Sequence, residues 1–162
     1  MNKTWSNTAL VAYSALPKIV KELDLTLVRL VKSSFKGAHF KNGVSNMQLI
    51  GEIMDVNEEK RKIVNLRYIV STALNALSEE AKHILVGRFI KQATYRDLAD
   101  ELGVSIRTVF RRFENAQDAF AHNLKICGWT ESWLENEYGN DKYISAIRIR
   151  FIEGKYYTSQ NQ

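Results

Sequence analysis

Residues 77–124 read LSEEAKHILVGRFIKQATYRDLADELGVSIRTVFRRFENAQDAFAHNL, and the spacing of the apolar and capping residues within them decides the fold. Ser78 is a good helix N-cap, with Glu79 and Glu80 in the first turn, where the positive end of the helix dipole favours carboxylates. Ala81, Ile84, Leu85 and Phe89 then recur at helical spacing. Thr94 can cap a second helix, and Asp97 three residues later makes a weak version of a capping box. That helix, Tyr95 to Leu102, turns Leu98, Ala99 and Leu102 to one side. Gly103 follows where a helix end often needs a left-handed residue. Val104 plugs the turn, and Ser105 caps a third helix that opens Ile106-Arg107-Thr108.

In the third helix Val109, Phe113, Ala116, Phe120 and Leu124 form a stripe that should pack on Leu98 and Leu102. The opposite face carries Arg107 and Arg111, with Arg112 at its edge. A short helix, a Gly-containing turn and a second helix with an exposed basic face is the geometry of motifs that read a DNA groove, and the N-terminal turn of the second helix is the part that meets base edges.

The run TYRDLADELGVSIRTVFRRFENAQDAF resembles the fourth conserved region of sigma-70 family factors, above all the short extracytoplasmic type. The tokens that carry the resemblance are Gly103, Val104, Ser105, Thr108, Val109, Arg112, Phe113 and Ala116. The preceding LSEEAKHILVGRFI resembles the helix that leads into that region, ending in Arg88-Phe89. The chain also resembles ArpU-type phage and prophage late-transcription regulators, short proteins with a helical leader and a sigma-like helix-turn-helix towards the C-terminus. The resemblance implies double-stranded DNA as a partner and RNA polymerase as a candidate second one. No counterpart of the second conserved sigma region, which grips the polymerase clamp and melts the promoter, is found in the sequence.

Composition sets the outer bounds. At 162 residues the chain makes one domain or two small ones, and 45% hydrophobic content is ordinary for a packed core. A single Pro and eight Gly leave long uninterrupted segments, which favours helices. There is no apolar run of about 18 residues, so no membrane span is expected. MNKTWSNTALVAYSALPK is too interrupted by polar residues for a signal peptide, and a cytoplasmic location is expected. The lone cysteine, Cys127, fits a reducing compartment and is read as a small core residue. The net charge of +5 is not centred on the motif: residues 1–77 hold 11 Lys/Arg against 6 Asp/Glu, whereas 78–127 hold 8 against 7. The basic N-terminal half could add phosphate contacts or could simply be a solvated helical face.

The rest of the chain also reads as helical, giving an all-α protein of three parts. Residues 1–76 form a helical N-terminal region, packed on or linked to the helix-turn-helix at 77–127, and 128–162 form a short helical C-terminal extension. Trp5, Ala9, Leu10, Tyr13 and Leu16 mark a first helix, and Pro17 sits at the first turn of a second that runs to Phe35. KGAHFKNGVSN (36–46) is the clearest loop. Met47 to Val56 is a short helix, with Asn57 capping the next. Ile63, Leu66, Val70, Ala73 and Leu77 then make a heptad-like seam, which packs on the helix-turn-helix or forms a homodimer contact. Gly128 ends the third helix of the motif, Thr130 caps a short helix, Gly139-Asn140 is a turn, and Tyr143 to Phe151 suits a helix, although IRIRF alternates as a strand would.

No catalytic constellation is present: no phosphate-cradling Gly-rich loop, HExxH, CxxC or GxSxG. The protein is therefore read as not an enzyme, with no cofactor. His39, His83 and His122 lie too far apart in sequence to suggest a metal site. The residues assigned to DNA are Arg107 and Arg111 for bidentate reading of base edges, with Ile106 and Phe110 placed to meet a thymine methyl. Thr108 shares their opening turn. Arg112 is read as holding a phosphate or a core-edge ion pair. Thr94, Tyr95 and Arg96 open the supporting helix towards the DNA backbone. Ser105 is a cap first and a phosphate donor second. Three functions fit: a sequence-specific transcription regulator, a divergent sigma factor with a reduced N-terminal polymerase-binding domain, or a module that uses the helix-turn-helix to bind a protein.

Overall fold

The computed structural model describes residues 4–35 and 45–153. Among these there are seven helices and no strand: α1 (Thr4–Phe35), α2 (Asn46–Asn75), α3 (Glu79–Phe89), α4 (Tyr95–Leu102), α5 (Ile106–Ile126), α6 (Glu131–Tyr138) and α7 (Lys142–Ile152). The protein is all-α, and the ambiguous IRIRF segment is helical. Most of the loop expected at 36–46, with His39, lies outside the described residues; Ser45 caps α2 by accepting from the Gln48 N–H at 3.2 Å.

Two expected helix boundaries are absent. Pro17 does not start a second helix but lies inside α1. An internal Pro removes one donor and crowds the carbonyl four residues back. Yet Ala9, Ala12, Leu16, Ile19 and Leu23 continue at alternating three and four spacing across it, and all are buried. Burial of that unbroken stripe outweighs the local cost. Asn57, likewise, does not cap a helix. It is an exposed residue within α2, whose apolar spacing runs on to Ile63, Leu66, Val70 and Ala73. Those four seam residues are 0–1% exposed, so the seam is spent inside the chain and is not a free dimer surface.

The chain divides into two compact units. One, residues 15–67, comprises most of α1 and of α2. Lys60 Nζ meets Asp24 Oδ1 at 2.6 Å. Asp24 lies partway back from the end of α1 and Lys60 a similar distance into α2, so the two helices run antiparallel. Leu16, Ile19, Leu23, Leu49, Ile63 and Leu66 are its buried residues.

The other unit joins residues 1–14 to 68–162 and contains α3 to α7. Here α3, α4 and α5 pack on one another. Val109, Phe113, Ala116, Phe120 and Leu124 of α5 are buried, as their spacing predicts. The first turns of α1 belong to this same core: Trp5 is 3% exposed, and Leu10 and Ala12 are fully covered. The Gln117 Nε2 donates to Asn7 Oδ1 at 2.7 Å in a buried pair. Trp5 Nε1 donates to Glu135 Oε2 at 3.0 Å, Arg148 holds the same carboxylate at 2.7–2.8 Å, and the Arg148 guanidinium lies 4.7 Å over the Trp5 ring. Glu131 of α6 accepts from the backbone N–H groups of Trp5 and Ser6, so α6 and α7 hold the start of α1. Cys127 is exposed and not a core residue. It is the C-cap of α5, past the last buried position of the stripe at Leu124, and Gly128 turns the chain with φ +85°.

Candidate nucleic-acid interface

Three caps set the geometry of the motif. Ser78 accepts from the Ala81 N–H at 3.3 Å and starts α3. Thr94 and Asp97 form a full capping box despite the short aspartate: Thr94 Oγ1 accepts from the Asp97 N–H at 3.1 Å, and Asp97 Oδ2 accepts from the Thr94 N–H at 2.8 Å. The Thr94 hydroxyl and then its N–H hold the Asp97 carboxyl below its ordinary range. Ser105 accepts from the Thr108 N–H at 3.2 Å and starts α5. Between α4 and α5, Gly103 sits at φ +64°, ψ +32°, and its N–H and that of Val104 bond back to the end of α4. A left-handed residue is needed there for the chain to reverse within two residues, which glycine supplies without steric cost.

The turn between α3 and α4 is fixed differently. Arg88, at the end of α3, is buried. One of its terminal nitrogens donates to the Ala93 carbonyl at 2.6 Å, and the guanidinium stacks 4.1 Å from the Tyr95 ring centroid. On its other side Tyr95 stacks on Phe110 at 4.2 Å and meets Phe113 edge-on at 5.6 Å; Phe113 in turn stacks on Phe89. Burial pushes the Tyr95 hydroxyl above its ordinary pKa, with Arg88 opposing. This column ties the last turn of α3, the first of α4 and the first two of α5 into one body. Gly87 completes it: a β-carbon there would come within 2.8 Å of a Leu98 methyl, so α3 and α4 approach more closely than a larger residue allows.

Against that frame the ten assigned residues separate. Arg107 and Arg111 are exposed, and among the described residues neither is held by an ion pair or hydrogen bond. Ile106 and Phe110, 46% and 47% exposed, flank them on the open side of α5. Arg96 is also exposed, on the first turn of α4. Thr94, Ser105 and Thr108 are engaged in capping, with the Ser105 and Thr108 hydroxyls 2.9 Å apart. Tyr95 is half-buried in the aromatic column. Arg112 is turned back to an ion pair with Glu80 of α3, the second of the two roles expected for it. The sequence reading did not single out Arg88; its only signal was the Arg-Phe pair ending the first helix of the motif.

No helix of the described residues is long and apolar enough to cross a membrane. Among the same residues no group of three or more His, Cys, Asp or Glu is placed to hold a metal ion. Residues 73–118, which take in the end of α2, all of α3 and α4 and the first part of α5, match the family described as sigma-70, region 4. That stretch is a sigma-70 region 4-like helix-turn-helix, a DNA-binding type of fold. Nothing matches among the curated proteins or the solved structures.

Proposed function

We propose that the chain is a sequence-specific DNA-binding transcription regulator that lays the first turns of α5 in the major groove. Arg107 and Arg111 read base edges there, Arg to guanine being the commonest specific contact. Ile106 and Phe110 supply apolar surface for a thymine methyl, and Arg96 reaches the phosphate backbone from α4. The observation that carries this reading is the contrast among the arginines of the motif: Arg88 and Arg112 are committed to the protein's own frame, while Arg107 and Arg111 stand outward and unengaged on a rigidly capped helix. RNA polymerase is the second partner that a region 4-like motif at a promoter would meet.

The test is selection of bound sequences from a random duplex pool by the full chain at one fixed salt concentration, since affinity without the salt is uninterpretable. Enrichment of a short motif, lost when both Arg107 and Arg111 become Ala, supports the reading. Uniform binding to all sequences, or enrichment unchanged by the double variant, overturns it.

A further inference from the structure

The unit formed by residues 15–67 carries apolar surface that nothing within it covers. On α1, Leu25, Val28, Val31 and Phe35 are 48%, 47%, 43% and 86% exposed; on α2, Met47, Ile50 and Met54 are 77%, 51% and 66% exposed. All seven lie in the halves of the two helices nearest their connection. By helical geometry Val31 stands about a quarter turn on from the inward line of Leu23, Leu27 and Leu30, and Ile50 about a quarter turn on from Leu49, Ile53 and Val56. Because the helices are antiparallel, the same rotation about each axis brings both strips to one side of the hairpin.

We propose that a second copy of this chain covers that side, giving a symmetric dimer in which two hairpins pack face to face as an antiparallel four-helix bundle. Three observations name the occupant. The first is charge. From Leu25 to Phe35, α1 carries Arg29 and Lys32 and no acid; from Asn46 to Glu59, α2 carries Glu52, Asp55, Glu58 and Glu59 and no base. A two-fold axis along the helices sets the basic strip of each copy on the acidic strip of the other and keeps the apolar tips together, since a two-fold contact pairs each patch with its counterpart reciprocally. The second is area: the seven residues expose roughly 700 Å², close to the ~800 Å² per partner of a standard stable interface. The third is Gly51, which lies within α2 among Met47, Ile50 and Met54. A β-carbon there would meet nothing within 4 Å, so this unit's own packing does not require a glycine that weakens the helix. A closely approaching partner helix does.

The inference is independent of DNA binding and is tested without DNA. Sedimentation equilibrium of the full chain should show a dimer in the micromolar range. Arg29→Glu/Lys32→Glu and Asp55→Lys/Glu58→Lys should each raise the dissociation constant at least roughly tenfold, the scale of losing an interfacial anchor. Mixing the two variants should restore dimers, because the altered strips are again complementary in both contacts. Gly51→Leu should also give monomers, with helicity unchanged by circular dichroism. A chain that stays monomeric throughout that range, which is the result if these strips serve a different protein, overturns the proposal. So does a dimer that survives Gly51→Leu and both charge reversals.

Discussion

The guanidinium of Arg88 lies 4.1 Å from the ring centroid of Tyr95 while it donates to the Ala93 carbonyl at 2.6 Å, so one side chain fixes both the path and the packing of the α3–α4 turn. Arg88→Met keeps the apolar stem and removes both interactions. Together a partly desolvated cation–π contact and a charge-assisted hydrogen bond imply a loss of about 2–4 kcal/mol in urea unfolding. Arg88→Lys should recover only part of it, because a lysine is a point charge without the flat fork that stacks and donates at once. Loss below about 0.5 kcal/mol, the level of an ordinary surface change, would show that the column stands without Arg88.

Arg111 and Arg112 are neighbours in sequence and differ in partner, which separates their expected phenotypes. Arg111→Ala should cost about 1–3 kcal/mol on a selected DNA site and blunt discrimination at one base pair, with the urea midpoint unchanged. Arg112→Ala loses the exposed pair with Glu80, so it should lower stability by at most about 1 kcal/mol and leave sequence preference intact. Binding titrations on matched and single-substituted duplexes, run beside unfolding curves, check both. An equal loss for Arg111→Ala on every duplex would reduce it to a phosphate contact.

Gly103→Ala forces a β-carbon into a left-handed conformation at the turn between α4 and α5. There is open space around it, so the cost is one of backbone strain and not of a clash. It should be about 1–2 kcal/mol. Gly103→Asn should cost less, since Asn tolerates that region. The order Gly, Asn, Ala in thermal midpoint is the expected outcome; Ala equal to Gly would mean that the turn adopts another conformation in solution.

The motif was legible because every one of its signals is local. Ser78, Thr94, Ser105 and Gly103 act within three or four residues of themselves, and the α5 stripe follows from helical spacing alone. Pro17 and Asn57 misled for the complementary reason: each is a local stop or start signal overruled by apolar stripes that continue on both sides of it. Arg88 was missed because its partner Tyr95 lies across a turn, where no periodicity points. The contact of Trp5 with Glu135 spans 130 residues, and only the folded chain can reveal it. Likewise, the spacing that marks Arg112 as part of the motif does not tell whether Glu80 or a phosphate receives it.

Two carboxyls should shape the acid limb of stability with opposite signs. Asp97 is held below its ordinary 3.8 by Thr94, so its contribution is complete above 3.8 and is lost as the pH falls through the lower folded-state value. Glu131 is pushed above its ordinary 4.5, first by burial, so its contribution is present below 4.5 and lost as the pH rises through the higher folded-state value. Urea midpoints measured in small pH steps should therefore lose their slope below 3.8 in Asp97→Asn, and their slope above 4.5 in Glu131→Gln. Identical profiles for both variants and the parent would show that neither carboxyl is perturbed as the geometry requires.

The buried pair of Asn7 and Gln117 joins α1 to the back of the reading helix, and it tests how far the DNA-binding fold extends beyond the matched segment. Replacing either partner by Ala leaves the other a polar group covered and unanswered, so each single variant should cost about 1–3 kcal/mol. The double variant should cost less than the sum, the shortfall being the coupling between two side chains in contact. If that coupling is real, the segment 73–118 expressed alone lacks the cover that Trp5, Leu10 and Ala12 belong to, and it should show no cooperative unfolding transition. Restoring residues 1–14 through the full chain should bring the transition back. A sharp transition from 73–118 alone, or strict additivity of the two substitutions, would mean that the first turns of α1 cover the motif without stabilising it.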